Sequence, residues 1–315
     1  MEIVALAGGI GAGKFLRGLV RAAPEARITA VVNTGDDVVM HGLHVSPDLD
    51  SVTYWLGGAF DRERGWGRRG ETFRATEELR AFGAPDAWFG LGDLDLATHL
   101  FRSPQLAAGV PLSEVTARIA ARFGIGVALV PMTDDPVTTR ISVVEAGVET
   151  ELHFQEYWVA RHARDEVKSF RFEGVERARP APGVLRSIAD ADVVVICPSN
   201  PVVSVGPILA VPGVRAAVAA RRDRVVGISP IVGGAPLAGM ADKLMPVAGL
   251  EVSALGAARA YADLLTAWVV DDEDASLVGA VEDALGVRTA ATDTIMRDDD
   301  TSAALAGFAL GLLGT

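Results

Sequence analysis

The chain has 315 residues, of which 50% are hydrophobic and 6% aromatic, and its formal net charge is −12 at pH 7. This composition supports a folded core and excludes intrinsic disorder, and the charge opposes nucleic-acid binding, which requires clustered Lys and Arg. No apolar run approaches the roughly 20 residues of a membrane span, and residues 1–7 lack the basic start of a signal peptide, so we expect a cytoplasmic protein without membrane contact. The single cysteine, Cys197, excludes an internal disulfide and is expected to be a buried strand end.

Short β-branched runs alternate with helix-like segments along most of the chain. The predicted strands cover residues 2–7, 28–33, 127–131, 192–197, 224–229 and 268–271, and the predicted helices cover residues 14–22, 72–82, 112–123, 253–266 and 301–313. This pattern predicts an α/β fold with a Rossmann-like, mostly parallel, doubly wound sheet. In the middle, residues 139–146 and 148–154 predict a hairpin around Gly147, and residues 167–172 predict a third strand. We therefore expect one domain over residues 1–315 with a small antiparallel insertion at about 138–178.

A glycine-rich segment, Gly8-Gly9-Ile10-Gly11-Ala12-Gly13-Lys14, follows the first predicted strand. Glycines let the backbone approach a phosphate, and the helix N-terminus behind them directs N–H groups towards it. The spacing of Gly8, Gly13 and Lys14 matches a P-loop, but Phe15 stands where that motif needs Ser or Thr. Phosphate binding is the functional interpretation, and a tight turn with close helix packing is the structural alternative.

Acidic residues follow the second predicted strand. Asp36 and Asp37 come directly after it, and Asp48 and Asp50 lie in the segment Ser46-Pro47-Asp48-Leu49-Asp50. If this segment is extended, residues two apart point the same way, and clustered carboxylates repel each other unless a cation intervenes. Oxygen ligands of this kind suit Mg²⁺, which takes one or two carboxylates plus substrate phosphates. Helix capping is the alternative for a single Asp, for example Asp50 at the start of a helix over residues 51–56.

Three further segments complete the polar edge that the carboxyl ends of parallel strands are expected to form. Each follows a predicted strand; they are Pro131-Met132-Thr133-Asp134-Asp135-Pro136-Val137-Thr138, Pro198-Ser199-Asn200-Pro201 and Ser229-Pro230-Ile231-Val232-Gly233-Gly234. A fourth, Phe154-Gln155-Glu156-Tyr157-Trp158, follows the predicted hairpin and is either core or a wall for a flat ring. The motifs contain no covalent catalyst, so phosphate cradles with a carboxylate cluster point to phosphoryl-type transfer by positioning and charge neutralisation.

With Asn33-Thr34-Gly35-Asp36-Asp37 and Trp88-Phe89-Gly90-Leu91-Gly92-Asp93, these motifs occur in an order that resembles the CofD/FbiA family. That family comprises the 2-phospho-L-lactate or phosphoenolpyruvate transferases of coenzyme F(420) biosynthesis. The resemblance implies a Mg²⁺-dependent, homodimeric transferase that moves a phosphorylated three-carbon acid from a guanosine diphosphate-type donor to the deazaflavin Fo, releasing GMP. It does not identify the acid.

The resemblance also implies roles for individual residues. Asp48 and Asp50 would be catalytic, and with Asp36 and Asp37 they would hold the metal. The donor side would comprise Gly8, Gly9, Gly11, Gly13, Lys14, Ser199, Asn200, Ser229, Gly233 and Gly234. The deazaflavin side would comprise Asp93, Met132, Thr133, Asp134, Asp135, Pro136, Thr138 and Trp158.

The sequence departs from the family pattern at two positions. Ile10 stands where Thr is frequent, and Leu94 stands where a basic residue is common, so the resemblance does not extend to a side-chain contact with phosphate at residue 10 or to a charge contact at residue 94. Two other functions stay open: a nucleotide-sugar-binding regulator of the same superfamily, and a P-loop NTPase.

Overall fold

The computed structural model describes residues 1–145 and 147–314. Its strands are β1 (Glu2–Ala7), β2 (Arg27–Val32), β3 (Val38–Met40), β4 (Leu43–Val45), β5 (Ala128–Pro131), β6 (Thr138–Glu145), β7 (Val148–His153), β8 (Val167–Glu173), β9 (Val193–Ile196), β10 (Val225–Ile228), β11 (Ile231–Val232), β12 (Ala235–Pro236), β13 (Ala267–Val270) and β14 (Arg288–Ala291). Its α-helices are α1 (Gly9–Ala22), α2 (Pro47–Leu56), α3 (Arg74–Ala81), α4 (Asp93–Ala107), α5 (Leu112–Arg122), α6 (Val184–Asp190), α7 (Val205–Ala210), α8 (Val214–Ala219), α9 (Ala241–Leu244), α10 (Ala254–Arg259), α11 (Val278–Leu285) and α12 (Asp299–Gly311). None of the helices in these ranges is long and apolar enough to cross a membrane.

Seven parallel strands form the central sheet, in the order β14-β13-β10-β9-β1-β2-β5. The chain builds outward from β1 to β2 and β5, and then returns to the other side of β1 with β9. The topological switch point therefore lies between β1 and β9, where open α/β sheets bind ligands at the carboxyl edge. The predicted fold class is confirmed.

Both faces of this sheet are covered, as the continuous apolar strands require. Successive side chains of a strand point to opposite faces, so Val4 and Leu6 of β1 enter one core while Ile3, Ala5 and Ala7 enter the other. Helices α1 and α12 pack together over the second of these faces. The buried strands fix where the loops at their carboxyl ends begin.

The predicted antiparallel block is a three-stranded sheet in the order β7-β6-β8. The predicted hairpin has its first strand at β6 and its second at β7, while Ala146, in the predicted range 139–146, lies outside the described residues. The predicted third strand is β8. At the start of β6, the Thr139 amide donates to the Gly35 carbonyl, which ties this sheet to the loop after β2.

Several sequence-based boundaries were wrong. α1 begins at Gly9, so most of the expected glycine-rich loop is helical, and the helix expected over residues 253–266 is only the short α10. Helix α4 and strand β14 were not predicted. β14 has the sequence Arg-Thr-Ala-Ala, which lacks an apolar run. The buried side of α4 is polar, and a hydrophobic pattern cannot reveal such a helix.

Candidate active site

The switch point is closed by direct contacts between the loops after β1 and β9. The Ser199 hydroxyl donates to the Gly8 carbonyl at 2.8 Å, and a Cβ on Gly11 would lie less than 3.0 Å from the Pro198 carbonyl oxygen. The two loops are therefore packed together at this edge of the sheet.

Asn33, at the carboxyl end of β2, joins two acidic side chains beside the switch point. Its Nδ2 donates to Asp48 Oδ2 at 2.9 Å and lies 3.5 Å from Asp36 Oδ1. Gln155 Nε2 donates to the other oxygen of Asp36 at 2.9 Å, and the Gly9 amide donates to Asp48. Elements from three parts of the chain thus hold the Asp36 and Asp48 carboxyl groups next to each other.

Burial makes these carboxyl groups unusual acids. Desolvation raises the pKa of Asp48 to about 7, against the hydrogen bond from Asn33 that favours its charged form. Desolvation also raises the pKa of Asp36 well above its ordinary value, and the nearby Asp48 and Asp37 carboxylates raise it further. The cluster therefore holds protons, or needs a cation, near neutral pH.

Asp37 is the third member of this acidic cluster. Its Oδ2 accepts hydrogen bonds from Ser46 Oγ at 2.8 Å and from His44 Nε2 at 2.9 Å, and its backbone carbonyl contacts His153 Nε2 at 3.1 Å. Its Oδ1 is buried without a hydrogen-bond partner in the described parts of the chain. Burial raises the pKa of Asp37, and the hydrogen bond to His44 opposes this shift. Of the two carboxylate oxygens of Asp37, the described residues therefore bind Oδ2 and leave Oδ1 without a partner.

Asp50 does not join the cluster, contrary to the expected geometry. Pro47 occupies the first position of α2, so the segment is the first turn of a helix and residues two apart point in different directions. Asp48 faces Gly9 and Asn33, whereas both oxygens of Asp50 bind the buried Arg102 guanidinium of α4. The alternative of Asp50 as an N-cap is also wrong, because Ser46 precedes the helix.

Two carboxyl groups of the cluster supply oxygen donors of the kind that Mg²⁺ takes. Among the described residues, no group of three or more His, Cys, Asp or Glu side chains is arranged to hold a metal. The unpartnered Asp37 Oδ1 and the neighbouring Asp36 carboxyl group are hard oxygen donors. Mg²⁺ commonly takes one or two such carboxylates and completes its shell with water and substrate phosphates.

The expected phosphate-binding residues are mostly packing residues at the start of α1. The Gly9 amide is directed at Asp48, and a Cβ on Gly13 would lie 2.6 Å from Trp55 Cδ1. The Lys14 ammonium lies 5.8 Å from the centroid of the Trp55 ring, and burial, followed by Arg62, lowers the pKa of Lys14. Close helix packing therefore explains these glycines, and the phosphate role stays a prediction.

The other residues expected on the donor side make local bonds. Asn200 Oδ1 accepts from the Val202 amide at 2.9 Å, and the Ser229 hydroxyl donates to the Ile231 carbonyl at 2.8 Å. Gly233 and Gly234 have φ of +57° and +79° in the two-residue turn between β11 and β12, where a side chain would strain the backbone.

The expected deazaflavin residues divide into caps and exposed groups. Asp93 accepts from the Ala75 amide near the start of α3 at 3.1 Å, and Asp134 accepts from the Ser113 amide near the start of α5 at 2.6 Å. The Thr133 hydroxyl donates to the Arg179 carbonyl, the Asp135 carboxylate accepts from the Arg179 amide, and Met132 is fully buried. Pro136 and Trp158 are exposed, and Thr138 is half-buried like Asp134 and Asp135.

Trp158 lies in a five-residue π-helix, Glu156–Ala160, that begins directly after Gln155. Phe154 and Tyr157 are buried, as in the core interpretation, whereas Trp158 is 36% exposed. π-Helical turns are rare and recur at functional sites. The π-helix directly follows Gln155, whose side chain donates to Asp36, so its first residue is one position from a side chain that binds the acidic cluster.

Sequence reasoning missed three side chains that bind the cluster, Asn33, Gln155 and His44, and also Arg102, which binds Asp50. Asn33 and Gln155 lie inside motifs that were singled out for their neighbours, and His44, although it has a metal-ligand spacing to His41, was given no role. The signal for Arg102 was a lone cation amid apolar residues in the segment His-Leu-Phe-Arg, which by itself does not identify a partner.

Comparisons with known proteins agree with this architecture. The crystal structure of protein BH3568 from Bacillus halodurans superposes with a TM-score of 0.65 at 19% identity, covering 98% of each chain, which shows a shared fold. A phosphoenolpyruvate transferase of Streptomyces griseus is 53% identical over 313 residues, covering 99% of this chain and 98% of its own. One from Mycolicibacterium smegmatis is 42% identical over 330 residues, covering 100% of this chain and 99% of its own.

A family model described as 2-phospho-L-lactate transferase CofD matches residues 3–299. The matched range contains residues of every strand of the central sheet and the whole acidic cluster. The chain therefore belongs to the 2-phospho-L-lactate transferase CofD family.

Proposed function

We propose that this protein transfers a phosphoenolpyruvyl group from a guanosine diphosphate-type donor to the terminal hydroxyl of the deazaflavin Fo, with Mg²⁺ as cofactor and GMP as the second product. The observation that carries the proposal is the buried cluster of Asp36, Asp37 and Asp48 at the switch point of the sheet. The relatives named phosphoenolpyruvate transferases, up to 53% identical over nearly the whole chain, support the enolpyruvyl group and a transferase over a regulator.

Asp48 is the proposed general base. As the hydroxyl oxygen of Fo bonds to phosphorus and the phosphorus–oxygen bond to GMP breaks, the hydroxyl proton passes to the Asp48 carboxylate. A pKa of about 7 suits this role, because a base near the operating pH is partly ionised and still takes up a proton. Asn33 and the Gly9 amide orient the carboxylate by donating to it.

Asp36 and Asp37 are the proposed metal ligands. Gln155 fixes one oxygen of Asp36, and His44 and Ser46 fix Oδ2 of Asp37, which leaves Asp37 Oδ1 for the ion. When bound, Mg²⁺ would neutralise charge on the phosphate oxygens of donor and transition state. Asp50, neutralised by Arg102, takes no part in this set.

The test is product analysis by mass spectrometry after incubation with Fo, Mg²⁺ and synthetic guanylyl donors that carry phosphoenolpyruvate or 2-phospho-L-lactate. We expect transfer from the enolpyruvyl donor, loss of transfer with EDTA and recovery with added Mg²⁺. Asp48→Asn should lower kcat by about two orders of magnitude or more, the scale of general-base catalysis, while Mn²⁺ binding measured by electron paramagnetic resonance persists. Asp36→Asn should weaken Mn²⁺ binding.

Two results would contradict the proposal. Transfer that persists in EDTA would contradict the proposed role of Mg²⁺. A near-normal kcat in Asp48→Asn would contradict the proposed role of Asp48 as the general base. Arg118→Met, which lies on α5 and contacts Gln105 and Glu114 at the surface, is the control for effects of substitution alone.

A further inference from the structure

The fully buried residues of helix α4 are polar, which is unusual for a helix at the surface of a domain. Its buried residues are polar (Asp95, Thr98, His99 and Arg102), while Leu100 and Phe101 are 58% and 49% exposed. The buried side packs against α2, the helix whose first turn carries Asp48. The contact between α4 and α2 is therefore made by hydrogen bonds and an ion pair, and not by apolar side chains alone.

Arg102 is the centre of this buried contact. Its side chain is 2% exposed, and its guanidinium binds both oxygens of Asp50, with Nη1 to Oδ2 at 3.0 Å. Nη1 also lies 3.3 Å from the backbone carbonyl of His44, which it can reach as a donor. One guanidinium therefore contacts the first turn of α2 and the strand β4 that precedes it.

The same helix holds the other backbone group of His44. The His44 amide donates to Ser103 Oγ at 2.7 Å, and that hydroxyl donates to the His99 carbonyl one turn earlier in α4. Both backbone groups of His44 are thus bound to α4. The imidazole of His44 contacts Asp37 Oδ2, so α4 reaches the acidic cluster through a single residue.

We propose that Arg102 is a positioning residue that clamps β4 to the first turn of α2 and so fixes the directions of Asp37 and Asp48. It acts on Asp48 through Asp50, two residues further along the helix, and on Asp37 through His44. The catalytic consequence rests on the proposed transferase function; the clamp itself does not.

Energetics support positioning over simple stabilisation. Removing an arginine and a carboxylate from water costs about as much as their attraction returns, so a buried ion pair adds little net stability compared with apolar residues. The planar guanidinium, however, can bind both carboxylate oxygens and a carbonyl in fixed directions, which a lysine cannot do. Displacing a reacting group by about 1 Å can cost about a hundredfold in rate, so such fixed directions matter for catalysis.

The test compares Arg102→Met and Arg102→Lys with the control Arg118→Met, which also removes an arginine that contacts α4. For Arg102→Met we expect kcat to fall roughly 10- to 100-fold while the KM values for donor and Fo stay within about twofold. The reason is that Arg102 is buried against Asp50 and His44 and is not proposed to touch either substrate. Arg102→Lys should recover part of kcat, and Arg118→Met should resemble the unmodified protein.

A double variant, Asp50→Asn with Arg102→Met, separates positioning from stability. Because it removes both members of the buried ion pair, its unfolding free energy should lie closer to that of the unmodified protein than the value of either single variant does. We expect its kcat to stay low. Recovery of kcat together with stability would overturn the proposal, as would a normal kcat in Arg102→Met.

Hydrogen exchange tests the clamp without substrate or metal. Residues 38–50 should exchange roughly tenfold faster in Arg102→Met than in Arg118→Met, since His44 loses its carbonyl contact. Equal exchange in the two variants would overturn the clamp even if the unmodified protein transfers nothing to Fo. Faster exchange in a protein without that activity would leave the clamp standing and contradict only the proposed function.

Discussion

Asp48→Asn should make the protein more resistant to unfolding at alkaline pH. The Asp48 residue is 8% exposed, and its carboxyl group has a pKa of about 7 in the folded protein, against an ordinary value of 3.8. The folded protein therefore retains a proton on Asp48 through a pH range in which the unfolded chain has released it. Stability is lost as the pH rises from about 4 to about 7, because ionising this group costs more in the fold than in water.

The size of the effect follows from the shift. Each pH unit in that range removes about 1.36 kcal/mol, so the interval from about pH 5 to about pH 7 costs the unmodified protein about 2.7 kcal/mol through Asp48 alone. The amide introduced by Asp48→Asn cannot ionise, and its carbonyl oxygen can still accept from Asn33. Relative to the unmodified protein, the variant should therefore gain about 2–3 kcal/mol of unfolding free energy between about pH 5 and pH 8.

Urea unfolding at about pH 5 and pH 8, without metal, measures this difference directly. Titrating groups far from Asp48 cancel in the comparison, whereas Asp36, whose pKa the Asp48 carboxylate raises, adds a change of the same sign. The matched control is Asp50→Asn, which leaves the Arg102 guanidinium buried without its full partner and should lose about 3–5 kcal/mol at both pH values. If the difference between Asp48→Asn and the unmodified protein were the same at both pH values, the burial argument for the cluster would be refuted.

Two further predictions concern the neighbouring elements. Gly11→Ala should destabilise the protein by about 1–3 kcal/mol because its Cβ would meet the Pro198 carbonyl oxygen, whereas Gly279→Ala, with nothing within 4 Å, should be neutral or slightly stabilising. Thermal melts compare the two variants, and equal melting temperatures would contradict the packing role of Gly11. Trp158→Ala should weaken Fo binding, measured by deazaflavin fluorescence, because it removes a proposed wall for the deazaflavin ring. Trp66→Ala, which removes a ring of similar exposure that packs on Phe73, should leave the affinity unchanged. Unchanged affinity in Trp158→Ala would show that the deazaflavin ring binds elsewhere.

Six of the seven strands of the central sheet were predictable because they are continuous apolar runs followed by polar loops, whereas β14 lacks such a run. β1 and β9 are almost wholly buried, and strands of this kind can be recognised from composition alone. The order of the strands along the chain also indicated which loops would meet at the switch point, since parallel strands share one carboxyl edge.

The orientation of individual carboxylates was not predictable in the same way. Whether Asp48 and Asp50 share a direction depends on where a helix begins, and Pro47 at the first position of α2 decided against it. The partner of Asp50 lies 52 residues later in sequence, on a helix whose fully buried residues are polar. Long-range pairs between buried charges leave no local signal, so Arg102 could be found only in three dimensions.

The glycines of α1 have a consequence for how the site can form at all. Interior glycines each disfavour a helix by about 1 kcal/mol relative to Ala, and an isolated helix of this length is marginal in water even for better sequences. α1 is held by close approach to distant partners, with Gly13 against Trp55 and Gly18 against Ser302 of α12. We therefore expect the Gly9 amide to reach Asp48 only when α1 has packed against α2 and α12. A truncation that removes α12 should disrupt the acidic cluster although no residue of α12 belongs to it.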